Sequence, residues 1–246
     1  MPKRKKFLPV IIFFILIISI AVFLLHKTLS YPENKWTRLI VKCAGVVDSA
    51  GKAAGEGIMN GPIANCEAVG IFPSTISGGF GLGGQYGQGI ILVKHDDGWS
   101  PPAIFTLAGG SIGWQIGAQA TDIILVFMDA HSVDAILRGK MKLGVDASVA
   151  AGPVGRNVSA ATDAQLRGGI LSYSISRGLF IGAKVEGAVL LEHEEANEEL
   201  YGKPLTAREI LIEDKAVMPK AAYAFFKTLQ PDNPVIRFLR KIGVFK

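Results

Sequence analysis

Apolar and polar positions divide the chain into three unequal parts. Residues 7–25 form a 19-residue stretch whose single non-apolar member is Ser19. Rising about 1.5 Å per residue as a helix, it would reach roughly 28 Å, close to the hydrocarbon thickness of a bilayer. After a short linker, apolar residues recur at Trp36, Leu39, Ile40, Cys43, Val46, Val47, Ala50, Ala54 and Ile58. That spacing predicts an amphipathic helix, ended by Asn60-Gly61-Pro62. A strand is predicted over 68–72, stopped by Pro73.

Residues 78–119 hold twelve glycines and read as strands. In one block Gly79, Gly81, Gly83, Gly87 and Gly89 share a parity opposite to Phe80, Leu82, Tyr86 and Ile90. In the other, Gly109, Ser111, Gly113 and Gly117 oppose Ile112, Trp114 and Ile116. Side chains alternate along a strand, so each block has a nearly bare face, suited to close backbone approach or sharp curvature. Further strands are predicted over 90–93, 104–107, 123–128, 144–151, 168–175 and 179–191. A short helix is predicted over 132–138, with Ser132 as N-cap and Gly139 at its end. Thr206-Ala207-Arg208-Glu209 has the form of a capping box opening a helix to about Asp214. Residues 213–246 carry helical patterns broken by Pro231 and Pro234. The fold class expected is α+β: a glycine-rich antiparallel sheet or barrel-like core flanked by helices and preceded by one transmembrane helix.

Charge sharpens this division. The chain carries 26 Lys and Arg against 21 Asp and Glu, a net charge of +5. Residues 1–30 hold five basic and no acidic groups, residues 31–212 hold 14 and 18, and residues 213–246 hold 7 and 3. Phosphate-backbone binders concentrate Lys and Arg on the folded domain, and here that domain is mildly acidic, so no nucleic-acid partner is expected. Lys3, Arg4, Lys5 and Lys6 precede the apolar stretch and would hold the N-terminus in the cytoplasm. A single-pass anchor in an inner membrane follows, with the main domain periplasmic or otherwise extracytoplasmic.

Three motifs bear on chemistry. Gly79-Phe80-Gly81-Leu82-Gly83-Gly84 satisfies G-x-G-x-x-G, but a strand pattern follows it where a dinucleotide site needs a helix N-terminus. Gly109-Gly110-Ser111-Ile112-Gly113 satisfies G-x-S-x-G, with Asp122 or Asp129 and His131 or His193 in hydrolase order. The strand alternation runs straight through Ser111, which leaves a serine hydrolase a distant third reading. His193-Glu194-Glu195 lacks a second histidine at helical spacing, so residues 192–199 read as a solvated acidic turn. Neither a metal nor a cofactor is expected, and no catalytic residues are assigned. Cys43 and Cys66 either close a disulfide loop of about 24 residues, worth roughly 3 kcal/mol, or stay as two buried thiols.

From about residue 36 to 212 the chain resembles the SYLF domain, a lipid-binding module also described as a yeast-type actin-binding domain. The resemblance rests on Ala68-Val69-Gly70-Ile71-Phe72-Pro73, the glycines of 78–89, and Asp97-Gly98-Trp99-Ser100-Pro101-Pro102-Ala103. It continues through Gly110-Ser111-Ile112-Gly113-Trp114-Gln115-Ile116-Gly117, Thr121-Asp122, Gly152-Pro153-Val154-Gly155-Arg156 and Thr162-Asp163. Tyr173-Ser174-Ile175-Ser176-Arg177-Gly178-Leu179-Phe180, Asn197 and Tyr201-Gly202 complete it. It implies non-enzymatic binding of membrane lipids, with phosphoinositides the ligands of eukaryotic members. No Src-homology or FYVE module accompanies the match, so an actin or endocytic role is not expected.

The reading that results is a lipid-binding module of a bacterial cell envelope, in three segments. Residues 1–30 are stub and anchor, 31–212 the SYLF-like domain, and 213–246 a basic amphipathic tail. Candidate contacts to anionic head groups are Arg237, Arg240 and Lys241, flanked by Phe238 and Phe245 for interfacial insertion. Arg156 and Arg177, each beside glycine, are further candidates. The alternative is an envelope scaffold that binds a protein partner.

Overall fold

The computed structural model describes residues 34–54, 61–154, 169–176, 179–182, 185–223, 225 and 229, with the backbone path alone at 54, 79–82 and 111–118. The elements are α1 (Lys35–Ala54), β1 (Ala68–His95), β2 (Gly98–Trp99), β3 (Ala103–Phe127), α2 (Ala130–Ile136), β4 (Lys140–Lys142) and β5 (Val149–Ala151). They continue with β6 (Ile170–Ser176), β7 (Leu179–Gly182), β8 (Ala188–Glu192), α3 (Glu194–Tyr201), α4 (Ala207–Leu211) and a 3-10 turn, Lys220–Ala222.

The centre is an antiparallel ribbon of β1 and β3, 28 and 25 residues long. A straight strand of that length would reach about 90 Å, so the ribbon must bend to share a core. It doubles back at the glycine blocks. Between the pairs Gly79↔Gly117 and Gly81↔Gly113, β1 spends one residue and β3 three. The strand on the outside of a bend travels further, and β3 is that strand.

The two legs of β1 therefore lie side by side. Lys94 N donates to Glu67 O across them at 2.7 Å. A Cβ on Gly89 would run into Ile71 O and sit 2.8 Å from Phe72 Cα, so only glycine permits this approach. The outer legs of β3 recruit the remaining strands. Residues 122–127 pair with β6, and residues 105–109 pair with β8, which pairs with β4. β7 extends β6 antiparallel, whereas β5 joins β6 in parallel, so the sheet is mixed rather than purely antiparallel.

Each face of this curled sheet has its own core. On one, Val69, Ile71, Ile90, Leu92, Ile124 and Val126 meet Trp36, Ile40, Cys43 and Val47 of α1. On the other, Phe72, Ile91, Phe105, Leu107, Leu125 and Phe127 meet Val133 and Ile136 of α2 and Ile210 and Leu211 of α4. From Trp36 to Ala50 the predicted stripe of the first helix is thus buried, Leu39 in part, while the side chain of Ala54 and residue Ile58 lie outside what is described; the class is α+β with helices packed on a curled sheet. Among the described residues, both cores draw only on residues from Trp36 onward, which fall in one compact unit.

Several local expectations are corrected. Pro73 does not end its strand: a bulge between Phe72 and Thr75 absorbs it. There Ser74 takes a positive φ of 52° and its N–H donates to Asp122 Oδ1 at 2.8 Å. The donor that proline lacks falls where the ladder is already broken. The cap of α2 is Asp129 rather than Ser132, its Oδ1 accepting from Ser132 N at 2.7 Å. Residues 194–201 form helix α3 rather than a solvated turn, with Ala196 and Asn197 buried. The capping box at Thr206 and Glu209 is present, opening the short helix α4.

Candidate functional site

The motifs that suggested chemistry turn out to be architectural. Residues 79–84 lie inside β1 and no helix follows them. Ser111 lies inside β3 opposite Gly83, without the strand-turn-helix of a nucleophile elbow. The two acids a triad would use are engaged by backbone: Asp122 by Ser74 N, and Asp129 by Ser132 N and Gly169 N. Burial pushes the Asp129 carboxyl up, but those N–H bonds outweigh it and hold it below the usual carboxylate range. Among the described residues no three His, Cys, Asp or Glu side chains gather into a metal-binding group.

Cys43 and Cys66 are free, buried thiols, so the disulfide alternative is not the one adopted. Cys43 Sγ donates to Ile71 O at 3.5 Å and Cys66 Sγ to Ile63 O at 3.2 Å. Burial pushes both thiols up, Cys66 to about 12, which removes thiolate chemistry near neutral pH.

Residues carrying the family resemblance hold one end of the ribbon together. Ser100 Oγ accepts from Val93 N at 3.0 Å and donates to Pro101 O at 3.0 Å. Asn197 Oδ1 accepts from Ile104 N at 2.7 Å, and Tyr201 Oη donates to Pro102 O at 2.6 Å. Gly202 closes α3 in the left-handed conformation, φ 69°. Trp36 Nε1 donates to Glu199 Oε2 at 2.6 Å, and its ring meets His193 edge-on at 5.2 Å, tying α1 to α3.

Two surfaces stand out as places for a ligand. One is a groove of about 340 Å³ lined by Glu67, Lys94, His95, Asp134 and Arg208, among others. Its charges nearly balance, Lys94 Nζ already donates to Ala64 O, and His95 Nε2 pairs with Leu211 O at 2.8 Å. That is poor material for an anion site.

The other surface is the far end of the ribbon. Thr75 and Gly87 touch across the legs of β1, which makes the next residues outward, Ile76 and Tyr86, neighbours. They are 58% and 53% exposed, and Leu179 and Ile181 of β7 are 70% and 53% exposed. Gln119 Nε2, on β3 at this end, donates to Ser176 Oγ at 2.9 Å, and Ser176 pairs with Leu179, which links the ribbon to β7. Residues 74–93 and 103–121 contain no Asp, Glu, Lys or Arg. Val41, Val145, Ile212 and Val217 are also exposed, but each lies within two residues of a charged side chain. The charge-free stretches are the sequence signal for this surface, and the more conspicuous glycine parity masks them.

The head-group candidates Arg237, Arg240, Lys241, Phe238, Phe245, Arg156 and Arg177 lie outside the described residues, as do Lys3, Arg4, Lys5 and Lys6 and the apolar stretch 7–25. Among the described residues no helix is long and apolar enough to cross a membrane.

Residues 108–231 match the model of a protein family described as Ysc84, Las17-binding protein actin regulator. The chain belongs to the Ysc84 (SYLF) family. An SH3 domain-containing protein of Schizosaccharomyces pombe is 36% identical over 163 residues, 65% of this chain and 38% of that protein. Protein YSC84 of Saccharomyces cerevisiae is 35% identical over 161 residues, 64% of this chain and 34% of its own length. SH3 domain-containing YSC84-like protein 1 of Homo sapiens is 34% identical over 143 residues, covering 57% and 42%. The chain thus spans well under half of each of these relatives. The Ysc84 match begins on β3 at residue 108 and extends past α4 to residue 231.

Proposed function

We propose that this chain is a non-enzymatic, membrane-anchored lipid-binding module of a bacterial cell envelope. Residues 7–25 would span the inner membrane with Lys3, Arg4, Lys5 and Lys6 on the cytoplasmic side, placing the Ysc84 domain on the exported side. Arg237, Arg240 and Lys241, with Phe238 and Phe245, are the proposed contacts to anionic head groups, and Arg156 and Arg177 add to them. The observation that supports this best is a juxtaposition in one chain. Among the described residues, the ribbon end carries exposed Ile76 and Tyr86 and no formal charge while helices cover both faces at its other end, and a bilayer-length apolar stretch precedes the domain in the sequence.

A second reading has support from the family description, Las17-binding protein actin regulator, and from the SH3-containing names of its relatives. In that reading the domain binds a protein partner in the envelope. Flotation of the domain expressed from Tyr31 onward separates the two. Anionic phosphatidylglycerol vesicles should carry it upward at low salt. A domain that stays at the bottom of the gradient with every vesicle composition ends the lipid reading and leaves the protein-partner one.

A further inference from the structure

The bent end of the β1–β3 ribbon combines three properties. Its large exposed side chains among the described residues, Ile76 and Tyr86, are apolar or amphipathic, and so are Leu179 and Ile181 at the linked strand β7. The ribbon itself carries no formal charge over residues 74–93 and 103–121, so it brings no ion of its own out of water. Its outer edge is open: among the described residues β3 pairs with β8 no further than Gly109 and with β6 only from Asp122, so residues 110–121 pair with β1 alone.

Open strand edges cannot lie in hydrocarbon, because unpaired N–H and C=O groups there find no partner. They are satisfied among head groups and interfacial water, the depth at which a tyrosine is at home. A charged protein groove is a poor match for a ribbon with no charge to pair. A dry protein core would have to supply partners for the whole open edge. A bilayer interface meets both requirements, and the apolar stretch 7–25 in the same chain would keep one within reach.

We infer that the ribbon end, residues 76–86 and 108–120 with β7 beside it, is a wedge that seats in the interfacial layer of a bilayer by apolar burial rather than by charge. This deepens the lipid-binding proposal and rests on it. It differs from head-group attraction by a basic tail in one measurable respect: wedge binding needs neither anionic lipid nor low salt.

The test has two arms. In the first, the domain from Tyr31 onward is floated with neutral phosphatidylcholine vesicles and with vesicles containing phosphatidylglycerol, at low and high salt. The wedge predicts flotation with both, changed less than about twofold by salt. It also predicts at least about tenfold weaker binding for Ile76→Asp with Tyr86→Asp. Both sites are exposed, so the variant's melting temperature should stay near that of the parent. In the second arm the full chain is reconstituted into vesicles whose acyl chains carry bromine near the head group. Trp36 and Trp99 are buried, and Trp114 lies in β3 between Gly113 and Gly117 within the ribbon. Fluorescence should be quenched in the parent and the quenching lost in Trp114→Phe.

Binding confined to anionic vesicles at low salt, with no Trp114 quenching, overturns the wedge and leaves lipid binding to the basic tail. No vesicle binding at all overturns both. Quenching that Ile76→Asp with Tyr86→Asp leaves unchanged also overturns the wedge as drawn.

Discussion

The two ends of the β1–β3 ribbon are built from the same strands and are stabilised in opposite ways. At the closed end, Ser100, Asn197 and Tyr201 each bond the backbone of residues 93–104, and both faces of the sheet are covered by helices. Glycine there means contact: Gly89 sits against the backbone of Ile71 and Phe72. At the bent end, Gly84 and Gly110 have open space around them, although Gly109 beside them still meets Ala188. A Cβ on Gly84 would come no nearer than 3.8 Å to a neighbour, Gly109 O, and one on Gly110 no nearer than 3.9 Å to Gly83 O. Strand glycines thus do two jobs in one ribbon, and composition alone cannot separate them. The closed end carries the fold, and the bent end is where the proposed wedge lies.

Substitutions can break this contrast, and the largest effect belongs to Gly89→Ala. Its Cβ would collide with a backbone oxygen that cannot rotate away, so a loss of about 3 kcal/mol or more is expected in denaturant unfolding. A mild effect would mean that the legs of β1 are not in contact. Asn197→Ala leaves the Ile104 N–H buried without its acceptor and should cost about 2 kcal/mol, with the melting transition still cooperative.

A pH profile offers a smaller, signed test. Asp129 titrates below its ordinary value in the folded state, so its contribution is present above the unfolded pKa of about 3.9 and lost as pH falls through the folded one. Asp129→Asn should therefore be less stable than the parent at neutral pH, by about 1 kcal/mol for a weakened cap, and the gap should narrow as pH falls below the ordinary carboxylate range. Glu192 shifts upward through burial and has the opposite slope, but it is common to both proteins and cancels in the difference. A gap that stays constant with pH would remove the charge from this cap. The smallest effects are expected for Gly84→Ala and Gly110→Ala, within about 0.5 kcal/mol of the parent by thermal melting. Strong destabilisation at either position would show the bent end to be packed after all, and the contrast between the two ends would fail.

Much of the closed end is legible in the amino-acid sequence. The stripe from Trp36 to Ala50 marks a helix docked on a core, and Thr206 and Glu209 mark a capping box; both are local patterns with local causes. Asp129 escapes a local reading because Ser132, three residues on, has the same capping chemistry; the choice depends on Asp129 also reaching Gly169 N, a contact set by the sheet. Pro73 reads as a stop because a proline breaks a ladder. Nothing local announces that Asp122, 48 residues after Ser74, takes its N–H and lets the strand resume. The candidate surface is legible only in its missing charges, since exposure of Ile76 and Tyr86 is a property of where the helices end rather than of those residues.

The sequence by itself determined which residues alternate, where glycine removes side chains, where charge is absent, and that one apolar stretch has the length of a bilayer. Those features follow from covalent structure and periodicity. Tertiary structure alone decided that β1 folds back along itself, that β3 takes the longer outer path, and that one end of the ribbon is sealed while the other is bare. A period of two says which face a side chain takes, but not where a strand bends. The bend is set by two apolar faces that must both be covered, and that condition involves residues far apart in the chain.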